Sequence, residues 1–451
     1  MSHPIRSLLK TMVAPDAVVP DGEMGLWRTG KGEEGLPAAV LAPSNEEELA
    51  RVLALASEEG WRVLPAGLGT WLEGGGPTNV TLVISTRRMR EVREYEPADL
   101  TFTAGAGLSL AALRETTQAH GQWLPLDPPG GFQGSLGATV SLGTAGALRH
   151  LFGTPRDHVL GLTLVSGDGR VLRWGGRVVK NVAGFDVTRL CVGSWGSLGV
   201  VTSVSARLFP IPDSDVTLCI RGPDAATLLP LARAMALSPL PLGAVELVDP
   251  LGPEGSVKGA ADEAPVGAAL VLRLLGSRAQ VTEMEARIRS DLSREVGSLE
   301  RLEGEESRAL QRTLNGWENG ADLVARLCLL PSEMGDLLEE AGELRALSSK
   351  AKYGPPQLRL SAHVGAGVLR VAVSGLPSGE GDLAAWASSL RGLRERLEGK
   401  GGSLTLSSGP GSLVREVGAW GVSGGERELS AGLKAQFDPK GILAPGRLGL
   451  C

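Results

Sequence analysis

Glycine is concentrated in one stretch of the chain where the main chain itself could bind a ligand. Residues 128–202 contain 16 of the 63 glycines, interspersed with small or branched apolar residues. Glycine accepts positive φ angles and lets a ligand approach main-chain N–H groups, although it loses more conformational entropy on folding than other residues. Such a run is typical either of tight turns in a Gly-rich chain or of a backbone site for an anion such as a phosphate. Spacing alone leaves both interpretations open.

A second loop of this kind follows a predicted strand at residues 62–65. It consists of Pro65, Ala66, Gly67, Leu68, Gly69 and Thr70. The loop does not match the Rossmann fingerprint, because Leu72 stands at the third glycine position and no clean strand ending in an acidic residue follows. On its own it is as consistent with a plain turn as with a nest of N–H groups around a phosphate.

One ordered motif separates these interpretations. The run Lys180-Asn181-Val182-Ala183-Gly184-Phe185-Asp186-Val187-Thr188-Arg189-Leu190 is followed by Gly193-Ser194 and by Gly199-Val200-Val201-Thr202. This order resembles the flavin-domain signature of the vanillyl-alcohol-oxidase family, whose members carry a p-cresol-methylhydroxylase (PCMH)-type FAD-binding domain. Within that family it most closely resembles the FAD-binding subunits of bacterial glycolate oxidases. The resemblance is good over residues 37–212 and 432–448 and poor between them.

The resemblance implies a non-covalent FAD cofactor. Thr70 occupies the place of the histidine that bonds the flavin ring in covalently flavinylated relatives, so covalent attachment at this loop is not expected. The residues that the resemblance assigns to cofactor binding are Pro65, Ala66, Gly67, Leu68, Gly69, Thr70, Pro129, Ser135, Gly137, Ala138, Thr139, Gly184, Gly199, Val200 and Val201.

The candidate catalytic residues lie in the poorly matched part. The segment from Ser361 to Arg370 resembles the His-x-Gly-Asp-Gly-Asn-x-His element of catalytic 2-hydroxy-acid dehydrogenases, but only His363 and two glycines remain. Oxidation of a 2-hydroxy acid needs a base for the hydroxyl proton and a cation for the carboxylate, and His363 and Arg370 could supply them. In one straight strand these residues would lie on opposite faces, whereas a hairpin at 365–367 would bring them together. A hydrogen-bonded structural role for His363 stays open. The other histidines that we considered, His120, His150 and His158, fall in the predicted flavin domain.

Composition limits the partners of the chain. A net charge of −6 without a Lys/Arg-rich block argues against nucleic acid or an anionic membrane surface as the main partner. The 4 cysteines, Cys191, Cys219, Cys328 and Cys451, are far apart and form no Cys-x-x-Cys pair, so we predict no metal site and no iron–sulfur cluster. The first ten residues contain no apolar core long enough for a signal peptide, and no run is suited to membrane insertion, so we expect a cytoplasmic protein, with membrane association only through partners.

The pattern of elements predicts an α+β protein. The FAD-binding domain, made of two α/β subdomains, is expected at 37–212, after a loose N-terminal segment at 1–36. An α+β cap domain is expected at 213–425, with strands near 268–274, 358–363 and 368–373 and helices near 279–292 and 331–347. Residues 426–451 are expected to return to the FAD-binding domain, in a closing motif where Ala444 replaces the asparagine usual in the family. Ser44 to Glu47 reads as a capping box that opens the first helix of the FAD-binding domain.

Three hypotheses on function remain from the sequence. The first is the FAD-binding subunit of a glycolate-oxidase-like complex, in which a related flavoprotein subunit and an iron–sulfur subunit are partners and a small 2-hydroxy acid is the substrate. The second is a self-sufficient FAD-dependent oxidase or dehydrogenase of another hydroxy acid or an alcohol. The third is a non-catalytic scaffold that retains the flavin fold.

Overall fold

The protein divides into two compact units. A computed structural model describes residues 4–29, 35–176, 185–250, 267–292, 299–348, 357–377, 380–421 and 424–449. The first unit comprises Met1–Ala145, Thr154–Ile211 and Val422–Cys451, and the second comprises Gly146–Gly153 and Pro212–Gly421. The short excursion Gly146–Gly153 thus groups with the second unit, although it lies within the stretch predicted to form the FAD-binding domain.

In the described residues the helices are, in chain order, α1 (Pro4–Met12), α2 (Glu46–Glu58), α3 (Leu110–Gln118), α4 (Leu136–Leu142), α5 (Arg149–Phe152), α6 (Pro155–His158), α7 (Val187–Cys191), α8 (Ala225–Leu237), α9 (Arg278–Asp291), α10 (Gly304–Asn315), α11 (Met334–Ser348), α12 (Glu380–Gly399), α13 (Gly411–Val417) and α14 (Gly424–Phe437). Short 3-10 helices span Pro15–Ala17, Asp21–Trp27, Pro97–Asp99, Gly131–Gln133, Pro331–Glu333 and Val364–Ala366.

The strands are β1 (Ala39–Leu41), β2 (Val63–Ala66), β3 (Leu82–Ser85), β4 (Val92–Glu96), β5 (Thr101–Gly105), β6 (Gln122–Trp123), β7 (Val159–Val165), β8 (Val171–Gly175), β9 (Val200–Arg207), β10 (Phe209–Pro210), β11 (Ser214–Gly222), β12 (Leu242–Asp249), β13 (Ala268–Gly276), β14 (Leu299–Glu303), β15 (Leu323–Cys328), β16 (Gln357–His363), β17 (Val368–Ser374) and β18 (Ser403–Ser408). The predicted strands and helices at 268–373 are therefore present, with ends shifted by a few residues.

The first unit contains two sheets of different kinds. The parallel sheet β1-β3-β2 is crossed by α2, whose Leu49, Val52 and Leu53 are fully buried against it. The C-terminal residues 426–451, called the tail here, extend this sheet, because Val63 N–H donates to Ile442 O and Ala444 N–H donates to Val63 O. The second sheet is antiparallel, in the order β4-β5-β9-β7-β8, with α3 and α4 on its core. A small β10–β6 pair adjoins it in the same unit.

The second unit is built on one large antiparallel sheet. Within the described residues its strand order is β14-β11-β13-β12-β16-β17-β15-β18. Alternate side chains such as Leu247, Ala362, Leu369 and Leu327 point to one face, where α8, α9, α11 and α12 complete the main core. The residues between them in sequence therefore point to the opposite face, which carries polar side chains in its centre.

Two local predictions were wrong. The N-terminal segment is not loose: α1 and the following 3-10 helices pack into the first unit, and Leu9 is fully buried while Trp27 is only 4% exposed. The helix cap is shifted by one residue, because Asn45, not Ser44, is the N-cap and accepts from Glu48 N–H. Glu48, rather than Glu47, accepts from Ser44 N–H at 2.7 Å and also from Ala14 N–H, which ties the N-terminal segment to α2.

Candidate cofactor and substrate sites

A groove opens in the first unit at the carboxyl end of β2. It holds about 640 Å³ of space counted out to open solvent. Its walls come from the loop after β2, from α4, from the loop before β9 and from the tail. The lining residues are Leu64, Pro65, Ala66, Gly67, Gly69, Thr70, Trp71, Leu72, Thr86, Gly137, Ala138, Ser141, Leu142, Trp195, Gly196, Val200, Val201 and Arg447.

Close packing explains why this loop needs glycine. A Cβ on Gly67 would lie 2.0 Å from Ser135 Oγ, so a side chain there would force the loop away from α4. Gly69 adopts φ +84°, which favours glycine. Within the described residues, the N–H groups of Gly67, Gly69 and Thr70 donate to no protein acceptor. A row of unsatisfied main-chain donors in a groove fits an anionic ligand such as a pyrophosphate.

A second loop closes the groove from the opposite wall. Trp195 adopts φ 54° and donates its N–H to Ser141 O at 2.8 Å. Its ring meets Trp71 edge-on, with 6.5 Å between the ring centroids. A non-glycine residue with positive φ is uncommon, and such strain persists where the surroundings fix it. The two tryptophans therefore join the two loops that form the groove.

The tail fastens both loops. Buried Lys434 donates to Ser197 O at 3.1 Å, to Leu443 O at 2.9 Å and to Asp438 Oδ2 at 2.8 Å. The Asp438 carboxylate also accepts from the N–H groups of Ile442 and Leu443. Arg447 donates to Leu72 O, and its burial lowers its pKa to about 10. A buried cation on the wall of the groove again fits an anionic ligand.

The structure brings most of the predicted cofactor-binding residues together. Those that line the groove are Pro65, Ala66, Gly67, Gly69, Thr70, Gly137, Ala138, Val200 and Val201. Leu68 is 36% exposed on the same loop, and Pro129 lies just before the 3-10 helix Gly131–Gln133. Ser135 is buried just before α4, where its hydroxyl oxygen accepts from Ala138 N–H, and Thr139 is buried within α4. Gly184 lies outside the described residues.

Gly199 has a packing reason of its own, since a Cβ there would lie 2.2 Å from Leu164 Cδ2. Several lining residues were not predicted from the sequence, among them Trp71, Ser141, Trp195, Gly196 and Arg447. Trp195 and Gly196 lie inside the flavin-like motif, so their position was a usable signal. Arg447 belongs to the closing motif, but nothing in the sequence connects it to Leu72.

Polar side chains form a row across the polar face of the sheet in the second unit. Pairing in register places Glu246 opposite His363, Ser361 opposite Arg370, and Arg370 opposite Arg326. Paired residues in an antiparallel sheet point to the same face. The polar row is defined here as Glu246, Ser361, His363, Arg370 and Arg326. The turn Val364–Ala366 joins β16 and β17 as a hairpin, so His363 and Arg370 share one face.

The two glycines retained in this hairpin have structural reasons. Gly367 adopts φ +63°, and a Cβ there would lie 2.0 Å from Leu329 O. A Cβ on Gly365 would lie 2.9 Å from His150 Nδ1, so glycine lets α5 approach the hairpin. His150 therefore lies beside the hairpin that follows His363, in the second unit, although its sequence position suggested the flavin domain.

Glu246 and His363 form a buried pair. His363 Nδ1 contacts Glu246 Oε1, and Ser361 Oγ donates to Glu246 Oε2 at 3.3 Å. Burial raises the pKa of Glu246 to about 8, against the opposing effects of Arg370, Ser361, Arg149 and His150. Burial, together with Arg370 and Arg149, lowers the pKa of His363 well below its usual value. The imidazole is therefore neutral at neutral pH, and its Nε2 has no partner in the described residues.

Arg370 is held from three sides. It donates to Glu318 Oε1 at 3.0 Å and to Ser361 Oγ at 3.3 Å, and its guanidinium carbon lies 5.1 Å from the centre of the Trp317 ring. These contacts fix the guanidinium next to the acceptors of the Glu246–His363 pair. Two of the five N–H groups of its guanidinium donate to these protein acceptors, and its buried Nε has no partner in the described residues.

The cysteines give no sign of redox or metal chemistry in the described residues. Burial raises the pKa of Cys191 to about 12 and, as the largest effect, that of Cys219 to about 11, which makes both thiols poor nucleophiles. In the described ranges no group of His, Cys, Asp and Glu is arranged to hold a metal ion. No described helix is both long and apolar enough to cross a membrane.

A glycine-rich groove with free backbone donors, set in a unit distinct from a large antiparallel sheet, defines a two-part flavoprotein. An FAD binding domain model matches residues 37–175, and a model of the FAD linked oxidases, C-terminal domain, matches residues 212–448. The second match covers more than half of the chain, so the chain belongs to the FAD-linked oxidase family. The resemblance to the PCMH-type FAD proteins and FAD as the cofactor are thereby confirmed.

Curated relatives match part of the chain. Glycolate oxidase subunit GlcD of Bacillus subtilis is 36% identical over 186 residues, which are 41% of this chain and 40% of that protein. Glycolate oxidase subunit GlcE of Escherichia coli is 37% identical over 190 residues, which are 39% of this chain and 52% of that protein. The chain thus spans about half of the length of the curated relatives it matches, or less.

A solved structure matches nearly the whole chain. The 4-ethylphenol oxidase from Gulosibacter chungangensis, in an isoeugenol complex, has a TM-score of 0.74 and 18% identity, with 98% of this chain and 96% of that chain covered. At this identity the likeness shows the fold alone. The α+β fold with a PCMH-type FAD-binding domain, expected from the sequence, is confirmed.

Proposed function

We propose that this chain is the FAD-binding subunit of a glycolate-oxidase-like complex that oxidises glycolate or a related 2-hydroxy acid. The observation that carries the proposal is the groove of the first unit, whose free N–H groups on Gly67, Gly69 and Thr70 suit an anionic dinucleotide cofactor. The names of the relatives, both subunits of glycolate oxidases, support the substrate class. We assign cofactor binding to residues 37–212 and 426–451, apart from the excursion Gly146–Gly153, and substrate binding to that excursion and residues 213–425.

The first unit would hold FAD without a covalent bond. The loop of residues 65–70 and the residues Ser135 to Thr139 would surround the pyrophosphate and ribityl groups, and Val200 and Val201 would form the wall at the start of β9. Pro129 and Gly199 belong to the proposed set, as does Gly184, which lies outside the described residues. Thr70 offers a hydroxyl group rather than a nucleophilic imidazole, which is the reason for non-covalent attachment.

The second unit would supply the acid–base chemistry. The chemistry that FAD would supply when bound is acceptance of a hydride from the C–H bond, which would convert the 2-hydroxy acid to a 2-oxo acid. His363 would accept the hydroxyl proton at Nε2, because Glu246 engages Nδ1 and orients the ring. Arg370, already bound to Glu318 and Ser361, would keep the pair in place and add positive potential.

Electrons would leave through partners. The described cysteines form no cluster, so an iron–sulfur subunit together with a related flavoprotein subunit is proposed to receive them. We further propose a cytoplasmic location, with association to a membrane through these partners only.

A self-sufficient dehydrogenase is the second candidate function. The favouring observation is that one chain contains both the groove and the Glu246–His363 pair with Arg370. In this case reoxidation would need only a soluble electron acceptor, and no partner subunit.

The test is an absorbance spectrum of the purified chain, followed by anaerobic addition of glycolate or D-lactate and then by acid precipitation. We expect a yellow protein that releases FAD into the supernatant and whose flavin is bleached by a 2-hydroxy acid when the partner subunits are present. Rapid bleaching of the isolated chain would favour the self-sufficient enzyme.

Other results would contradict the proposal. Flavin that remains with the precipitate would overturn the non-covalent assignment. A colourless protein that FAD cannot reconstitute would contradict the cofactor site and favour a scaffold. An intact yellow protein that no 2-hydroxy acid reduces, with or without partners, would contradict the substrate class.

A further inference from the structure

One arginine of the polar row, Arg326, and a second arginine beside the row, Arg149, have no carboxylate partner in the described residues. Arg326 lies directly opposite Arg370 in the β15–β17 pairing, on the polar face, and is exposed. Arg149 begins α5, which packs against β12 and approaches the hairpin at Gly365. In the described residues no carboxylate forms an ion pair with either guanidinium, in contrast to Glu318 at Arg370.

Arg149 is close to several charged groups of the same unit. Its pKa is lowered by burial and then by the positive charge of Arg326, while Glu246 acts in the opposite direction. Arg370 also contributes to the lowering. Three guanidinium groups therefore lie within electrostatic reach of one another around the Glu246–His363 pair.

The three arginines differ in how their charge is balanced. Arg370 has Glu318 as a carboxylate partner at 3.0 Å, and it stacks on Trp317. Arg149 is half-buried without such a partner, and Arg326 faces Arg370 across the ladder. Like charges opposite each other on neighbouring strands are destabilising, and Glu318 balances only the charge of Arg370, so the charge of Arg326 needs a reason. A bound anion would remove the repulsion and satisfy both planar donor groups.

We propose that Arg149 and Arg326 form the site that binds the carboxylate of the substrate, and that Arg370 is a positioning residue for Ser361 and Glu246. This inference rests on the proposed function, because it identifies the part of the second unit that recognises the acid. The ligand class is a small carboxylic acid whose carboxylate accepts from the two guanidinium groups, which places its remaining atoms beside His363. Two cations favour a dianion over a monoanion, so dicarboxylates bind more tightly than monocarboxylates of similar size.

The test is calorimetric titration of the FAD-loaded full chain with oxalate, a dicarboxylate that cannot be oxidised as a 2-hydroxy acid. We expect Arg149→Gln and Arg326→Gln each to weaken oxalate binding by at least about tenfold, and the wild type to bind oxalate more tightly than acetate. Arg149→Lys should recover only part of the affinity, because an ammonium group cannot bind a carboxylate in bidentate fashion. Arg287→Gln is the matched control, since Arg287 is an exposed arginine of α9 in the same unit.

The outcomes separate this inference from the proposed function. Wild-type oxalate affinity in both Gln variants would overturn the assignment of Arg149 and Arg326, while bleaching of the flavin by a 2-hydroxy acid would leave the proposed function standing. If the wild type binds neither oxalate nor any 2-hydroxy acid, both fail. Flavin content per protein reports on the first unit and should be equal in all variants. If a Gln variant does not fold, the Lys variant at the same position decides, and unchanged affinity there overturns the proposal.

Discussion

The groove of the first unit and the polar row of the second are built from different parts of the chain. Around the groove, consecutive residues from Pro65 to Thr70 offer main-chain N–H groups, and their side chains matter mainly by being small. In the polar row, each functional group is a side chain from a different strand, and Glu246 and His363 are 117 residues apart in sequence.

This difference determines how each site responds to change. A backbone site depends on loop conformation, so it fails when a side chain is added or when the tail that fastens its loops is released. A side-chain site keeps its fold when one group is altered, but its charge balance and its pH dependence change. Each of the following predictions tests one side of that contrast.

The largest effect is expected for Gly67→Val. A Cβ at this position would lie 2.0 Å from Ser135 Oγ and 3.0 Å from Ser135 Cβ, so the loop has to move away from α4. We expect FAD affinity to fall on the order of 100-fold, which is about 2.7 kcal/mol, as measured by flavin absorbance per protein after gel filtration. Gly22→Val is the control, because a Cβ on Gly22 meets nothing within 4 Å. Normal flavin content in Gly67→Val would contradict a backbone site at this loop.

The next effect concerns the tail. Lys434→Met removes the partner of Asp438, whose side chain is 0% exposed, and also releases Ser197 O and Leu443 O. Loss of one member of a buried ion pair is expected to reduce the free energy of unfolding by about 3–5 kcal/mol. Thermal unfolding should also show that FAD stabilises this variant less than the wild type.

A second substitution distinguishes charge from packing at this position. Adding Asp438→Asn to Lys434→Met removes the uncompensated charge and should recover part of the lost stability. Lys400→Met, at an exposed pair with Asp336, is the matched control and should change the free energy of unfolding by less than about 1 kcal/mol. If Lys434→Met behaves like this control, the tail does not fasten the groove.

A smaller effect, with a defined sign, is expected for Glu246→Gln. Burial raises the pKa of Glu246 to about 8 from a reference of 4.5, so its contribution to stability is complete below 4.5 and is lost as the pH rises through about 8. Glutamine does not titrate, so the Gln variant does not lose this stability. Between pH 4.5 and about 8 its free energy of unfolding should rise relative to that of the wild type, by at most about 1.4 kcal/mol per pH unit. Melting temperatures at several pH values give the comparison.

His363 acts in the opposite direction in the same experiment. Because the pKa of His363 is lowered in the folded protein, its contribution to the free energy of unfolding declines as the pH falls below 6.5, in both the wild type and the variant. Glu283→Gln on the exposed side of α9 is the control and should leave the pH dependence unchanged. A gap between wild type and Glu246→Gln that is constant with pH would contradict a raised pKa at Glu246.

The contrast between the sites also explains what the sequence could predict. Loop residues such as Gly67 and Gly69 form a contiguous pattern, so motif and chain order indicated nine of the groove-lining positions. The hairpin of β16 and β17 was among the alternatives, since Gly365 and Gly367 permit a turn. Glu246 was missed, because only the register of β12 against β16 brings it to His363.

Features that depend on contacts between residues far apart in the chain could not be predicted from the sequence. Arg149 lies in a glycine-rich stretch that resembles the flavin domain, yet α5 groups with the second unit, and no local pattern marks that excursion. The N-terminal segment was underestimated for a similar reason: Leu9 is buried by residues far along the chain, and α1 is too short to be strongly indicated by periodicity alone.

The smallest effect is expected for Ala444→Asn, which tests whether main-chain conformation governs the tail as it does the loops. Ala444 adopts φ 43° while its N–H donates to Val63 O at 2.7 Å, so the residue is left-handed and cannot relax without breaking the extended sheet. Asparagine tolerates this conformation better than alanine, so a gain of about 0.5 kcal/mol is expected. Ala444→Val should act in the opposite direction, because a β-branched side chain is strongly disfavoured at positive φ. Melting temperatures that fall in both variants would mean that the limited space around the buried Ala444, not its left-handed backbone, determines which residue this turn accepts.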